Sequence, residues 1–239
     1  MTDAEIYQGL VDAVHDHRLL PGTKLVEEKL GAVYGVSRTR IRQVLIRLAH
    51  EQIVSLAPNR GATIAQPSVQ ESREVFEVRR LIEPTLLRLC VERADDARIN
   101  ALSRHIDEEE AALQQRNRPL ALTLSGSFHV RIAEASGHAT LTRLLQEMVS
   151  RTSLVLMTYG ETLPAARRNG SWADACNCKD HRGLFAALRE RDAAAATERM
   201  LEHLHQIEAA LCFTLPEERE VDLLGLLRPD VVKPTGVAS

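Results

Sequence analysis

The segment Val36-Ser37-Arg38-Thr39-Arg40-Ile41-Arg42-Gln43-Val44-Leu45-Ile46-Arg47-Leu48 leaves little freedom in how the first quarter of this chain can fold. Ile41, Val44, Leu45 and Leu48 recur at helical spacing and make one apolar face. Ser37 stands where a hydroxyl can cap the first free amides of that helix. Arg38, Arg40, Arg42 and Arg47 fall off the apolar face, free to reach phosphates and guanine edges. Just upstream, Leu25 to Tyr34 reads as a second amphipathic helix, and the short Gly35-Val36 break is the spacing of a helix-turn-helix.

The residues that follow add a second signal. Glu51 to Leu56 and Ala62 to Ala65 are short β-prone runs joined through Ala57-Pro58-Asn59-Arg60-Gly61. A hairpin placed directly after such a helix is a wing, and Gly61 lets its backbone approach a phosphate or a minor-groove edge. From Ser37 to Arg60 there are five basic residues, Arg60 among them, and one acidic residue, Glu51. Arginines that merely solvate a surface helix would look the same in isolation. Their occurrence on a helix-turn-helix followed by a wing points to double-stranded DNA.

These residues carry a family resemblance. Leu20-Pro21-Gly22-Thr23-Lys24-Leu25, Leu30, Val36-Ser37-Arg38-Thr39, Ile41-Arg42, Leu45, Arg47-Leu48 and Asn59-Arg60-Gly61 resemble the GntR family winged helix-turn-helix over most of residues 4–66. The resemblance implies DNA contacts from Ser37, Arg38, Thr39, Arg42 and Gly61, with Arg40, Arg47 and Arg60 completing the basic set. Arg38 and Arg42 suit bidentate guanine contacts, and Ser37 and Thr39 suit phosphates or thymine methyls. Many relatives carry an arginine where this chain has Glu28, so that contact falls away unless Lys29 substitutes.

Composition fits a two-domain, mainly helical chain. At 239 residues it can build two cores, and with aromatics at 3% it favours helix over sheet. The net charge of −3 looks wrong for a DNA binder until it is divided. Residues 1–68 hold eight Lys/Arg and seven Asp/Glu, whereas the remainder holds 22 and 26. The basic charge is local, on the helix and wing where phosphate attraction acts. The chain opens Met1-Thr2-Asp3-Ala4-Glu5 without an apolar leader, and no apolar run approaches the roughly 20 residues that span a bilayer. Four cysteines show no disulfide framework, so a cytoplasmic protein with no membrane partner is expected.

Punctuation divides the chain into a winged domain at 1–66, a linker at 67–69, an all-α antiparallel helical bundle at 70–214 and a tail at 215–239. Thr2-x-x-Glu5 and Ser68-x-x-Glu71 are capping boxes that open a helix in each domain. Breaks near Ala94-Asp95-Asp96, Asn117-Arg118-Pro119, Gly137, Gly160 to Gly170 and Arg191-Asp192 give about six helices between 68 and 213. In the tail, Leu223, Leu224, Leu226 and Leu227 could dock, while the last ten residues are expected to lack fixed structure.

The second domain carries its own resemblance. Val78-Arg79-Arg80-Leu81-Ile82-Glu83, Phe128-His129-Val130-Arg131-Ile132-Ala133-Glu134-Ala135-Ser136-Gly137, Asp180-His181-Arg182-Gly183-Leu184 and Met200-Leu201-Glu202-His203-Leu204 are similar to the FCD domain of GntR regulators of the FadR subfamily. About six helices is the pattern of its VanR-like subgroup. The resemblance implies that His129, His181 and His203 converge on a divalent metal. Neutral imidazoles suit zinc, nickel and similar ions. Each of these histidines has apolar helical neighbours, so the rings are expected to point inward, where a shared metal would satisfy them together. Any one of them alone would read as a hydrogen-bonded core histidine.

Ser125 departs from the family, whose members place a carboxylate or amide four residues before the first histidine. The site is then three histidines completed by water or an effector carboxylate, or a weaker metal site, or a pocket that works without metal. The lost negative charge favours an anionic effector. Arg79 either meets that carboxylate or pairs with Glu83 at i, i+4. Cys176-x-Cys178 lacks the usual zinc spacing, and Glu108-Glu109-Glu110 reads as a solvated helix face. The expected function is a ligand-responsive transcription regulator, a homodimer that represses at a palindromic operator and answers to a small organic acid. The alternative is a metal-dependent hydrolase fused to a DNA-binding domain, for which no general base stands at clear spacing.

Overall fold

The computed structural model describes residues 1–16, 18–58, 61–160 and 178–213. It separates into two compact units, Met1–Ala65 and a helical unit that begins at Gln66. The expected wing-tip residues Asn59 and Arg60, Cys176, and the whole of the tail, including its four leucines, lie outside the described residues.

In the first unit, α1 (Asp3–His15) opens on the expected capping box, with both reciprocal Thr2–Glu5 hydrogen bonds present. α2 (Glu27–Tyr34) ends on Gly35, whose φ of 66° places it in the left-handed region where a side chain is strained. α3 (Arg38–His50) follows after a short turn, with Ser37 accepting from the Arg40 amide. The turn is tight: a Cβ added at Gly31 would stand 2.8 Å from the Val36 carbonyl oxygen. Ile41, Val44, Leu45 and Leu48 are buried as their spacing predicts, on a helix that packs against α1 and α2, where Ile6, Leu10, Val14 and Leu30 are buried as well.

β2 (Val54–Ala57) and β3 (Gly61–Ile64) pair antiparallel, with Val54 opposite Ile64. One expectation needs correction here. Leu25 does not begin α2, which starts at Glu27, but joins Lys24 in a two-residue strand, β1 (Lys24–Leu25), on the free edge of β3, giving a three-stranded sheet in the order β1-β3-β2. Two residues are too short to show alternation, and only the partner strand identifies them as β.

The helical unit contains α4 (Val69–Arg93), α5 (Asp96–Gln114), α6 (Arg118–Ala135), α7 (Ala139–Tyr159), α8 (Cys178–Arg189) and α9 (Ala193–Ala209) among the described residues. Side-chain caps from Ser68, Asp95, Asn117, His138 and Asp192 start five of them. All six contribute to one core, which includes Phe76, Leu87, Ile106, Phe128, Tyr159, Leu184, Met200 and Leu204. No helix among the described residues is long and apolar enough to cross a membrane.

Candidate DNA-binding helix and candidate metal centre

On α3 the residues expected at DNA stand where the helical period puts them. Ser37, Arg38, Thr39, Arg42 and Arg47 are exposed, and Arg40 is half-buried. Gly61, at the start of β3, is exposed with φ of 84°, and nothing lies within 4 Å of a Cβ built on it. Each arginine of the helix also holds a carboxylate. Arg40 donates from Nε at 2.8 Å and from Nη2 at 2.6 Å to Asp3, and Nη2 reaches the Met1 carbonyl at 2.9 Å. Arg47 lies 3.8 Å above the centre of the Tyr7 ring and pairs with Glu51, which accepts the Tyr7 hydroxyl. Burial and that carboxylate push the Tyr7 phenol up to about 12. These two arginines therefore tie α3 to α1. Arg38 and Arg42 pair instead with Glu28 and Glu27, in the first turn of α2.

In the helical unit, His129 of α6, His181 of α8 and His203 of α9 are 3%, 0% and 1% exposed. One ligating nitrogen from each lies within 4.8 Å of the others. The ring centres are 4.9 to 5.4 Å apart. Phe128 packs over the His181 ring at 4.4 Å and closes one wall.

The arrangement of hydrogen bonds decides what the three rings can do. Nδ1 of His129 meets Glu83 at 2.7 Å, Nδ1 of His181 meets Glu109 at 2.7 Å, and Nδ1 of His203 meets Asp180 at 3.2 Å. Ionised carboxylates only accept, so each Nδ1 carries a proton, and in a neutral ring so held Nε2 is the nitrogen that presents a lone pair. Nε2 of His181 and of His203 are buried without a hydrogen-bond partner. Ring nitrogens buried without a partner are costly unless a cation takes them. Three imidazoles, each backed by a carboxylate, form a donor set that fits zinc, nickel or a similar divalent ion.

Charge follows from burial. Burial drives the His129 imidazole down to about 3 against the opposing pull of Glu83, so the ring is neutral and able to ligate. Burial also lowers His203, opposed by its bond to Asp180. Glu83 is itself fully enclosed; burial would raise its carboxyl, but Arg79 and His129 outweigh burial and hold it at about 2.

Arg79 makes the intrahelical pair that its spacing allows, Nε to Glu83 at 2.6 Å. Its Nη1 reaches the Thr152 hydroxyl at 3.3 Å, while Nη2 is buried with no partner. The pair with Glu83 is formed, and one Arg79 donor is left over. Ser125 is buried one helical turn before His129. The negative charge absent at that position is present behind the rings, on Glu83, Glu109 and Asp180.

One reading made from the sequence changes. Glu108-Glu109-Glu110 is not a solvated face: Glu109 is fully buried on His181, and Glu110 pairs with Arg182. At about 100° per residue, only the middle of the run falls on the face shared with Leu102, His105 and Ile106. The sequence did not mark Glu83 and Asp180 as partners of the histidines, although Asp180 precedes His181 and Glu83 closes the Val78–Glu83 motif.

The profile described as bacterial regulatory proteins, gntR family, matches residues 2–64, and the FCD domain profile matches residues 74–206. The HTH-type transcriptional repressor RspR of Escherichia coli is 21% identical over 208 residues, covering 87% of each chain. The Uxu operon transcriptional regulator of Escherichia coli is 25% identical over 215 residues, covering 80% of this chain and 79% of its own. Among solved structures, E. coli McbR/YncC superposes with a TM-score of 0.75 at 21% identity, over 87% of this chain and 97% of that one. With its N-terminal winged helix-turn-helix and its FCD domain, the chain belongs to the GntR family of DNA-binding transcriptional regulators.

Proposed function

We propose that this regulator responds to a small organic acid through a metal held by His129, His181 and His203. The observation that carries the reading is the convergence of three buried imidazoles, each braced at Nδ1 by a carboxylate, with two Nε2 atoms left without a partner. A bound divalent ion would supply a Lewis-acidic centre for a carboxylate. The unpartnered Nη2 of Arg79 supplies a donor for the same anion. The Ser125 hydroxyl leaves that ligand position to water or to the effector. Glu83, Glu109 and Asp180 are engaged in holding the rings rather than placed to activate water, which favours ligand sensing over the hydrolase alternative.

The operator end of the reading is a homodimer that sets two copies of α3 in successive major grooves of a palindrome and represses there. A ligand changes operator affinity only if it binds the DNA-competent and incompetent states unequally. Arg42 reads a guanine in this scheme. Arg42→Ala is expected to weaken operator binding by about 1–3 kcal/mol and to relax the preference at one base pair. Competition titrations with single-base operator variants check this, and an equal loss on every sequence would reduce Arg42 to a phosphate contact.

Elemental mass spectrometry of untagged protein tests the centre directly. About one zinc or nickel per chain supports it. A metal-free protein that still binds DNA would leave the regulator intact and make Arg79 the sole effector anchor.

A further inference from the structure

The four arginines of α3 all hold carboxylates, but the two halves of the set differ in kind. Arg40 and Arg47 are each engaged by more than one group: Asp3 of α1 and the Met1 carbonyl for Arg40, the Tyr7 ring of α1 and Glu51 at the end of α3 for Arg47. Arg38 and Arg42 are each held by a single acid, Glu28 and Glu27, adjacent residues in the first turn of α2. The α2 helix dipole favours acids at that place. Arg38, Arg42 and Glu28 stay 62%, 65% and 72% exposed, so these pairs add little to stability and remain open to competition. They occupy the two guanidinium groups that the proposed reading assigns to bases.

We infer that Glu28, with Glu27 beside it, is an internal counter-ion for the recognition arginines and sets how much of the DNA affinity must come from base contacts. Attraction to random DNA is almost wholly neutralisation of phosphate by free cations. An arginine already neutralised by Glu28 contributes little to it, and the carboxylate itself repels phosphate. At an operator, a bidentate contact to guanine O6 and N7 offers Arg38 two directed hydrogen bonds and displaces Glu28. The acid therefore suppresses indiscriminate binding more than specific binding. This rests on the reading of α3 as the helix that touches DNA.

The test is salt-dependent binding of the full chain to a random-sequence duplex, which needs no knowledge of the operator. Glu28→Gln is expected to bind severalfold tighter than wild type. The plot of log affinity against log salt should steepen by about 0.9, the signature of one additional phosphate contact. Glu77→Gln removes the same charge from an exposed position on α4 and is expected to change neither quantity. Adding Arg38→Ala to Glu28→Gln should erase the gain. Equal tightening in Glu28→Gln and Glu77→Gln would overturn the inference in favour of net charge. So would an unchanged slope, or a gain that survives loss of Arg38. Weakened binding would also overturn it, by showing that Glu28 itself contacts DNA. A wild-type chain that fails to bind any duplex at low salt would instead strike at the reading of α3.

Discussion

Replacing His181 with alanine is expected to leave the purified protein without bound metal and to abolish any thermal stabilisation by added zinc or nickel. His181 is wholly buried, and the two remaining imidazoles, His129 and His203, make an incomplete donor set. Metal content unchanged by elemental analysis would remove these residues from the metal site. Glu109→Gln gives the graded counterpart. The amide oxygen still accepts from the His181 Nδ1–H, but the charge behind the ring is gone. Stoichiometry should hold while affinity falls about 10–100-fold, as it does when a partner behind a ligating histidine is neutralised. Competition with a chromogenic chelator measures that change, and an unaltered affinity would make Glu109 a packing group only.

The second large effect is expected at Arg79. Arg79→Met removes the cation from a carboxylate that is 2% exposed, leaving Glu83 with only the His129 Nδ1–H. Breaking one side of a buried pair costs about 3–5 kcal/mol, because the surviving charge stays desolvated. Urea denaturation followed by circular dichroism should show the loss in the transition of the helical unit. The double variant Arg79→Met/Glu83→Gln should recover most of it, since the glutamine carbonyl can still accept from His129 and no bare charge remains. If the single variant is no less stable than wild type, the pair does not carry the charge balance assigned to it. In both variants, affinity for organic acids should fall, which separates the role of Arg79 at the ligand from its role in the fold.

Local signals in the chain were readable wherever a few neighbouring residues sufficed. The Thr2–Glu5 and Ser68–Glu71 boxes, the Ser37 cap and the Ile41–Leu48 face depend on contacts within one or two helical turns, and all formed as read. The helix breaks at Asp95, Asn117, Gly137 and Asp192 are equally local. Strand β1 was not readable, because two residues show no period until β3 lies beside them.

The same divide runs through both candidate sites. The sequence alone supplied the arginines on one helix, the three histidines on three others, and Arg79 with Glu83 one turn apart. Helical periodicity fixes which face a residue occupies, and the family motifs mark the histidines. Only the tertiary structure decided what those side chains meet. Glu83 reaches a histidine 46 positions away and Glu109 one 72 positions away. Arg42 finds Glu27 across the helix-turn-helix. An acidic residue is equally plausible in water, on a ring nitrogen or on a guanidinium. The choice among them is made by the packing of helices far apart in the chain, which removes water from one carboxylate of a run and leaves its neighbours wet.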